Sequence, residues 1–136
     1  MMMTIRTATQ QDYPYLVAHD HHISTQVLQR KIAAGEVLIA KAPAAFVGWL
    51  RYGFFWDSIP MMNMLFVEES YRGQGIGRQL VEHWEREMAA AGYKQVMTST
   101  LSSESAQHFY RKLGYRDAGA LLLPGEALEI VLLKAL

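Results

Sequence analysis

The chain contains no cysteine. That absence excludes a disulfide scaffold, a thiolate metal centre and a cysteine nucleophile carrying a covalent intermediate. An excess of either charge is also missing: 13 Lys and Arg offset 13 Asp and Glu, with no dense basic block. This argues against nucleic acid or an anionic membrane surface as the main partner. No uncharged run approaches the length of a membrane span, and Met1-Met2-Met3-Thr4-Ile5-Arg6 lacks the apolar core of a signal peptide, so no membrane partner and a cytoplasmic location are expected. Internal repeats, low-complexity tracts and linkers are absent as well.

What is present is enough apolar material for one packed core. The 136 residues are 51% apolar; a single domain over 1–136 of that length buries about two thirds of its unfolded surface. Thr4 to Thr7 reads as a strand, and Thr9-Gln10-Gln11-Asp12 opens a helix carrying Tyr15, Leu16 and Val17. Ser24 caps a second helix with Val27, Leu28 and Ile32 on one side and Gly35 as its stop. Strands are expected over Glu36 to Lys41, Ala45 to Tyr52 and Ile59 to Val67. Leu80, Val81, Trp84, Met88 and Ala91 recur at helical spacing, followed by a strand from Gln95 to Thr100 and a helix from Ser103 to Leu113. The pattern closes with strands at about Tyr115 to Leu122 and Leu128 to Lys134, around a Pro124-Gly125 turn. Antiparallel strands with helices between them, and one parallel crossover, make an α/β class with a mixed sheet.

The most informative stretch is Tyr71-Arg72-Gly73-Gln74-Gly75-Ile76-Gly77-Arg78, between a strand-like run and an amphipathic helix. Glycines at every second position allow a sharp turn and close approach of a ligand to the backbone, while the first amides of the helix point outward. Such amides at the positive end of the helix dipole bind anions, phosphates above all. The loop has no Gly-Lys-Ser/Thr ending, and its spacing is not G-x-G-x-x-G. Neither common nucleotide loop fits, and the flanking Arg72 and Arg78 weigh against a turn with no ligand.

Arg72-Gly73-Gln74-Gly75-Ile76-Gly77 resembles the acyl-CoA motif R/Q-x-x-G-x-G/A of the GNAT superfamily of N-acetyltransferases. Ser103-Glu104-Ser105-Ala106-Gln107-His108-Phe109-Tyr110-Arg111-Lys112-Leu113-Gly114-Tyr115 is similar to that family's N-x-x-A-x-x-F/L-Y-x-K-L-G-F/Y segment. The resemblance covers Ile59 to the C-terminus by motif, and the first half by the order of elements. It implies one domain with a mixed, mostly antiparallel sheet of six to seven strands and about four helices. It further implies acetyl-CoA as co-substrate, no metal, and direct acetyl transfer to a primary amine of a small molecule or peptide. The alternative is an acyl-CoA-binding sensor or interaction module without turnover.

The family pattern assigns roles to matching positions. The amides of Gln74 to Arg78, with Gly73, Gly75, Ile76 and Gly77 shaping the loop, hold the pyrophosphate, and Arg72 and Arg78 add charge. The backbone of Phe66 and Val67 pairs with the pantetheine arm as an added strand would, and one of their amides faces the developing oxyanion, a contribution on the order of 3 kcal/mol. Ser103 stands where the family usually has Asn and is expected to cap its helix; Ala106, Phe109 and Lys112 join it on the cofactor side. Tyr110 is both a cofactor contact and the expected acid for the leaving thiolate, with plain packing beside Phe109 as the alternative.

Deprotonating a lysine-like amine at pH 7 costs about 3.4 pH units, roughly 4.6 kcal/mol. Glu68 is the first candidate base, followed by Asp57 and Glu69, then His21 and His22; a water relay or merely solvated carboxylates are the alternatives. His21, Tyr52, Trp56 and Asp57 are candidates for the acceptor side, because an aromatic wall with a carboxylate suits a cationic amine. His19-Asp20-His21-His22 reads as surface or acceptor-pocket residues in preference to a zinc site. A strand edge near Leu128 to Leu136 could support a homodimer.

Overall fold

The computed structural model describes residues 2–136. Met1, which belongs to the N-terminal segment and the 1–136 domain considered above, lies outside them. The strands are β1 (Thr4–Thr7), β2 (Val37–Ala42), β3 (Ala45–Phe55), β4 (Ile59–Val67), β5 (Gln95–Leu101), β6 (Arg116–Leu121) and β7 (Glu129–Ala135). The helices are α1 (Tyr13–His19), α2 (Thr25–Ala33), α3 (Ile76–Ala90) and α4 (Ala106–Lys112), with 3-10 turns at Gln10–Asp12 and Glu69–Tyr71. The strands form a seven-stranded sheet in the order β1-β2-β3-β4-β5-β7-β6. β4 and β5 run parallel, at Met61↔Met97 and Met62↔Thr98. The expected α/β architecture with a mixed sheet is therefore the one observed.

By packing, the chain divides into two compact units: residues up to Tyr52 with Met64–His83, and Gly53–Asn63 with Trp84–Leu136. In the first, Ala8, Leu16, Leu28, Ile32, Val37, Ile39 and Trp49 form a buried cluster. The Ser24 side chain accepts from the Val27 amide at 3.3 Å, capping α2. That helix ends where Glu36 donates to the Lys31 carbonyl at 2.9 Å and Gly35 to Ile32 at 3.1 Å, a closure that needs the positive φ of 74° at Gly35. At the entry to α1, Arg6 grips Asp12 at 2.7 and 3.0 Å, and Thr9 donates its amide to the same carboxylate at 2.8 Å. The Arg6 hydrogen bond, with help from Thr9, holds the Asp12 carboxyl below its ordinary range. Arg51 of β3 donates to the buried Asp20 at 2.9 Å, which ties the α1–α2 joint to the sheet. Removing one partner of such a pair costs about 3–5 kcal/mol, because the other charge stays buried.

In the second unit β5, β7 and β6 pair antiparallel in that order. Leu132, Val96, Met97, Trp84 and Met88 are buried there. β7 thus has a neighbour on either side, and the exposed edge is β6, all six of whose residues are exposed, not the Leu128 to Leu136 segment anticipated above. The helix expected from Ser103 begins only at Ala106, and its N-cap is Ser105. The amide side chain of Gln107 explains the delay, since it donates to the carbonyls of Ser102 at 2.8 Å and Glu104 at 2.9 Å and holds the preceding residues in a turn. Buried Glu85 accepts from the Tyr115 hydroxyl at 2.7 Å and from Lys134 at 2.9 Å, joining α3, the end of the α4 turn and β7. Among the described residues no helix is long and apolar enough to cross a membrane.

β3 and β4 are joined through a turn in which Ser58 donates to the Phe55 carbonyl at 3.1 Å. Its central residues, Trp56 and Asp57, have φ of 54° and 59°. Turns of this kind favour Asn-Gly, and a left-handed backbone costs an ordinary residue about 1–2 kcal/mol. Replacing Trp56-Asp57 by Asn-Gly is expected to stabilise the protein by about 1 kcal/mol, read as a higher midpoint in urea denaturation; a lower midpoint would show that the Trp56 ring contributes more than the turn costs.

Candidate active site

The loop after β4 has the local geometry of an anion cradle. Gly73 and Gly75 have φ of 78° and 79°, and nothing lies within 4 Å of a Cβ added at either. Glycine is needed there for backbone conformation, and the space in front of it is open to a ligand. Gln79 donates the first bond of α3, to the Gly75 carbonyl at 3.0 Å. The amides of Ile76, Gly77 and Arg78 therefore precede the helical ladder and remain available to an anion. Arg72 is fixed at the mouth of the loop, its Nε donating to the Val67 carbonyl at 2.8 Å and its guanidinium lying 5.3 Å from the Phe66 ring centre. Arg78 shares its charge with Glu82 at 3.2 Å across one helical turn.

The end of β4 is shaped by β3. A Cβ at Gly48 would collide with the Phe66 carbonyl and come 3.1 Å from the Val67 Cα, so the two backbones pass at a distance only glycine permits. Just beyond, Glu68 donates its amide to the Val47 carbonyl at 2.7 Å. Its carboxylate accepts from the Tyr15 hydroxyl of α1 at 2.5 Å. Burial, then the Glu68 hydrogen bond and charge, push Tyr15 far above the ordinary phenol range, so it stays a donor. Phe66 itself stacks on Trp49, ring centres 4.5 Å apart.

In the second unit Tyr110 of α4 is buried, packed edge-on against Phe109 at 5.2 Å and Tyr115 at 5.7 Å. Burial pushes its hydroxyl up to about 12, Thr98 works the other way, and the charge of Glu104 adds a smaller upward push. The Thr98 hydroxyl donates to the Met62 carbonyl at 3.1 Å, beside the parallel β4–β5 pairing.

A strand, a glycine turn and a helix N-terminus in this order have a counterpart among known families: a model of the acetyltransferase (GNAT) domain matches residues 33–117. The chain belongs to the GNAT acetyltransferase family. This GNAT chain is 33% identical over 96 residues to probable N-acetyltransferase 14 of Danio rerio, a match covering 69% of the chain and 34% of the relative. It spans between about a third and a half of the length of the curated relatives it matches. In fold it is similar to Ard1 from Thermoplasma volcanium, with a TM-score of 0.84 at 13% identity over 99% of this chain and 98% of that one. It also resembles a GNAT family acetyltransferase from Elizabethkingia anophelis with acetyl-CoA bound, with a TM-score of 0.76 at 23% identity over 98% of each chain.

Within the first unit of this GNAT chain, Phe66, Val67, Glu68 and the Arg72–Arg78 loop lie together. Tyr52 is buried in the same unit, its hydroxyl donating to the Gly35 carbonyl at 3.4 Å, and His21 is exposed on the α1–α2 joint. Trp56 and Asp57 form the exposed turn that precedes β4, whereas Glu68 follows that strand. In the second unit Ala106, Phe109, Tyr110 and Lys112 share α4, and Ser103 sits in the turn before it. Among the described residues no three His, Asp or Glu side chains gather as a metal ligand set.

Sequence reasoning missed Gly48 and the partnership of Tyr15 with Glu68. A glycine inside a strand is a readable sign of close backbone approach. Nothing local in the sequence links Tyr15 to a residue 53 positions away.

These two kinds of glycine separate in a stability experiment. Gly75→Ala is expected to cost about 1–2 kcal/mol, from conformation alone. Gly48→Ala should cost more than about 3 kcal/mol or prevent folding, because backbone must move. Urea denaturation of both variants checks the order, and equal losses would remove the assigned role of Gly48.

Proposed function

We propose that this GNAT chain binds acetyl-CoA and transfers its acetyl group directly to a primary amine of a small molecule or peptide. The observation that carries the reading is the loop itself: two glycines in left-handed conformation, open space before them, and three helix amides ahead of the first α3 bond. Those residues fit a pyrophosphate. Acetyl-CoA supplies an acetyl group already activated as a thioester.

The chain's residues divide the remaining work. Gln74 to Arg78 and Arg72 hold the phosphates, and the Phe66–Val67 backbone aligns the pantetheine amides and faces the oxyanion. Ser103, Ala106, Phe109 and Lys112 complete the cofactor side. Glu68 takes a proton from the acceptor ammonium, and the freed nitrogen lone pair forms the C–N bond as the C–S bond breaks; the nitrogen then releases its second proton to water, from which the Tyr110 oxygen regains one after turnover. Tyr110 donates its proton to the leaving sulfur. With its hydroxyl at about 12, full transfer to a thiolate near 8.5 is uphill by about 3.5 pH units, roughly 5 kcal/mol. That is well inside the about 16 kcal/mol barrier of a turnover of 10 per second. Tyr110 thus enters as a hydrogen-bond donor, and proton transfer follows C–S cleavage. His21, Tyr52, Trp56 and Asp57 remain the acceptor-side candidates. Residues 1–136 act as one transferase domain, in the cytoplasm expected from the sequence.

Titration calorimetry with acetyl-CoA should give micromolar or tighter binding by the wild type, weakened at least about tenfold by Arg72→Ala/Gly75→Val through lost charge and a blocked backbone approach. Thiol release across an amine panel should then identify acceptors, with Glu68→Gln lowering kcat about 100-fold. A wild type that does not bind sinks the proposal, and binding without turnover on any amine favours the sensor alternative.

A further inference from the structure

The Glu68 carboxylate is not left to choose its own orientation. The Tyr15 hydroxyl donates to one of its oxygens, Oε1, at 2.5 Å. The donor is itself immobilised. Phe46 stacks on the Tyr15 ring with centres 4.0 Å apart and planes 11° from parallel, and His19 stacks at 4.3 Å and 28°. Two rings at those separations cannot share a face, so Tyr15 is sandwiched between them. Trp49 closes an edge at 5.7 Å and 85°. His19 is held in turn by a 2.8 Å contact between its Nδ1 and the Tyr15 carbonyl, one helical turn away. On the other side of the pair, the Glu68 amide is fixed to Val47 at 2.7 Å. A carboxylate held at its backbone and at one oxygen presents its second oxygen, Oε2, in a single direction.

We propose that Tyr15 is a positioning residue that locks Glu68 through Oε1 and reserves Oε2 for the acceptor amine. The inference rests on the transferase reading, in which Glu68 is the base. The proton leaves the ammonium nitrogen for Oε2, the neutral amine keeps the electron pair for the new C–N bond, and the Tyr15 hydroxyl keeps its own proton throughout. Tyr15 touches neither the acetyl donor nor the acceptor. Its loss therefore lowers the rate of transfer, through misdirected base, and leaves both binding steps intact. The aromatic sandwich gives a purpose to the residue pattern of α1, where Tyr15 and His19 stand four apart on one face.

The test is a double-mutant cycle on Tyr15→Phe and Glu68→Gln. Tyr15→Phe keeps the ring and its stacking and removes only the donor, so folding is preserved, which thermal melts verify. The probes are a peptide with a free N-terminal alanine and one lysine, and spermidine, each followed by thiol release from acetyl-CoA. Tyr15→Phe is expected to lower kcat about tenfold, as the loss of one hydrogen bond to a charged group does. Acceptor KM and acetyl-CoA affinity should stay within about twofold, and adding Tyr15→Phe to Glu68→Gln should cost no more than about a further twofold, because the two act as a unit. Unchanged kcat in Tyr15→Phe, or the same loss in the Glu68→Gln background, overturns the pairing while acetyl-CoA binding and turnover stand. A wild type that fails to bind acetyl-CoA, or that acetylates neither these probes nor any amine of the panel, overturns the transferase reading and this inference with it; calorimetry on the same samples tells the two failures apart.

Discussion

At Gly48 the chain leaves no room for a side chain, and much of the first unit follows from that. Because β3 and β4 pass so closely, the Phe66 carbonyl is pressed over β3. The Phe66 ring then meets Trp49, and the next amide but one, that of Glu68, reaches Val47. Arg72 folds back to the Val67 carbonyl from the far side of the Glu69–Tyr71 turn. A single missing methyl group thus fixes the end of β4, and with it the start of the loop that faces an anion. The flexibility of Gly73 and Gly75 is useful only because what precedes them is rigid.

The molecule carries as many acidic as basic side chains, and several of its carboxylates are committed to internal partners. Asp12 is gripped by Arg6, Asp20 by Arg51, and Glu85 by Tyr115 and Lys134. Each of these is buried, and the Asp20 and Glu85 bonds join segments 30 or more residues apart. Glu68 differs in kind. Its partner is a neutral phenol, which takes one oxygen without cancelling the charge. A carboxylate in that situation keeps an uncompensated negative charge for whatever faces its second oxygen, which a carboxylate paired with arginine does not.

Elements with a strong local cause were legible in the sequence. β1 and β4 have the expected bounds, α2 has the expected cap at Ser24, and the glycine loop lies between a strand and a helix as its spacing required. Where the reading went astray, a distant or side-chain interaction decided the outcome. The start of α4 is set by Gln107, whose amide competes for carbonyls that a helix would otherwise use. The place of β7 inside the sheet depends on long-range pairing with β5, about which a strand pattern is silent. The Tyr15–Glu68 bond spans 53 residues and the Lys134–Glu85 bond 49, far beyond any periodicity. Trp56 and Asp57 were read as acceptor-side candidates, an aromatic ring beside a carboxylate, and their left-handed turn contradicts the residue preferences that sequence reasoning relies on.

The interior position of β7 also bears on how the protein is made. Its strand is threaded between β5 and β6, which precede it in synthesis. While a ribosome is still adding residues before Glu129, β5 lacks its antiparallel neighbour and β6 has nothing to pair with, so both expose unsatisfied backbone to other nascent chains. The second unit closes its sheet only when residues 129–135 have emerged, so until then its strands are open to wrong pairing.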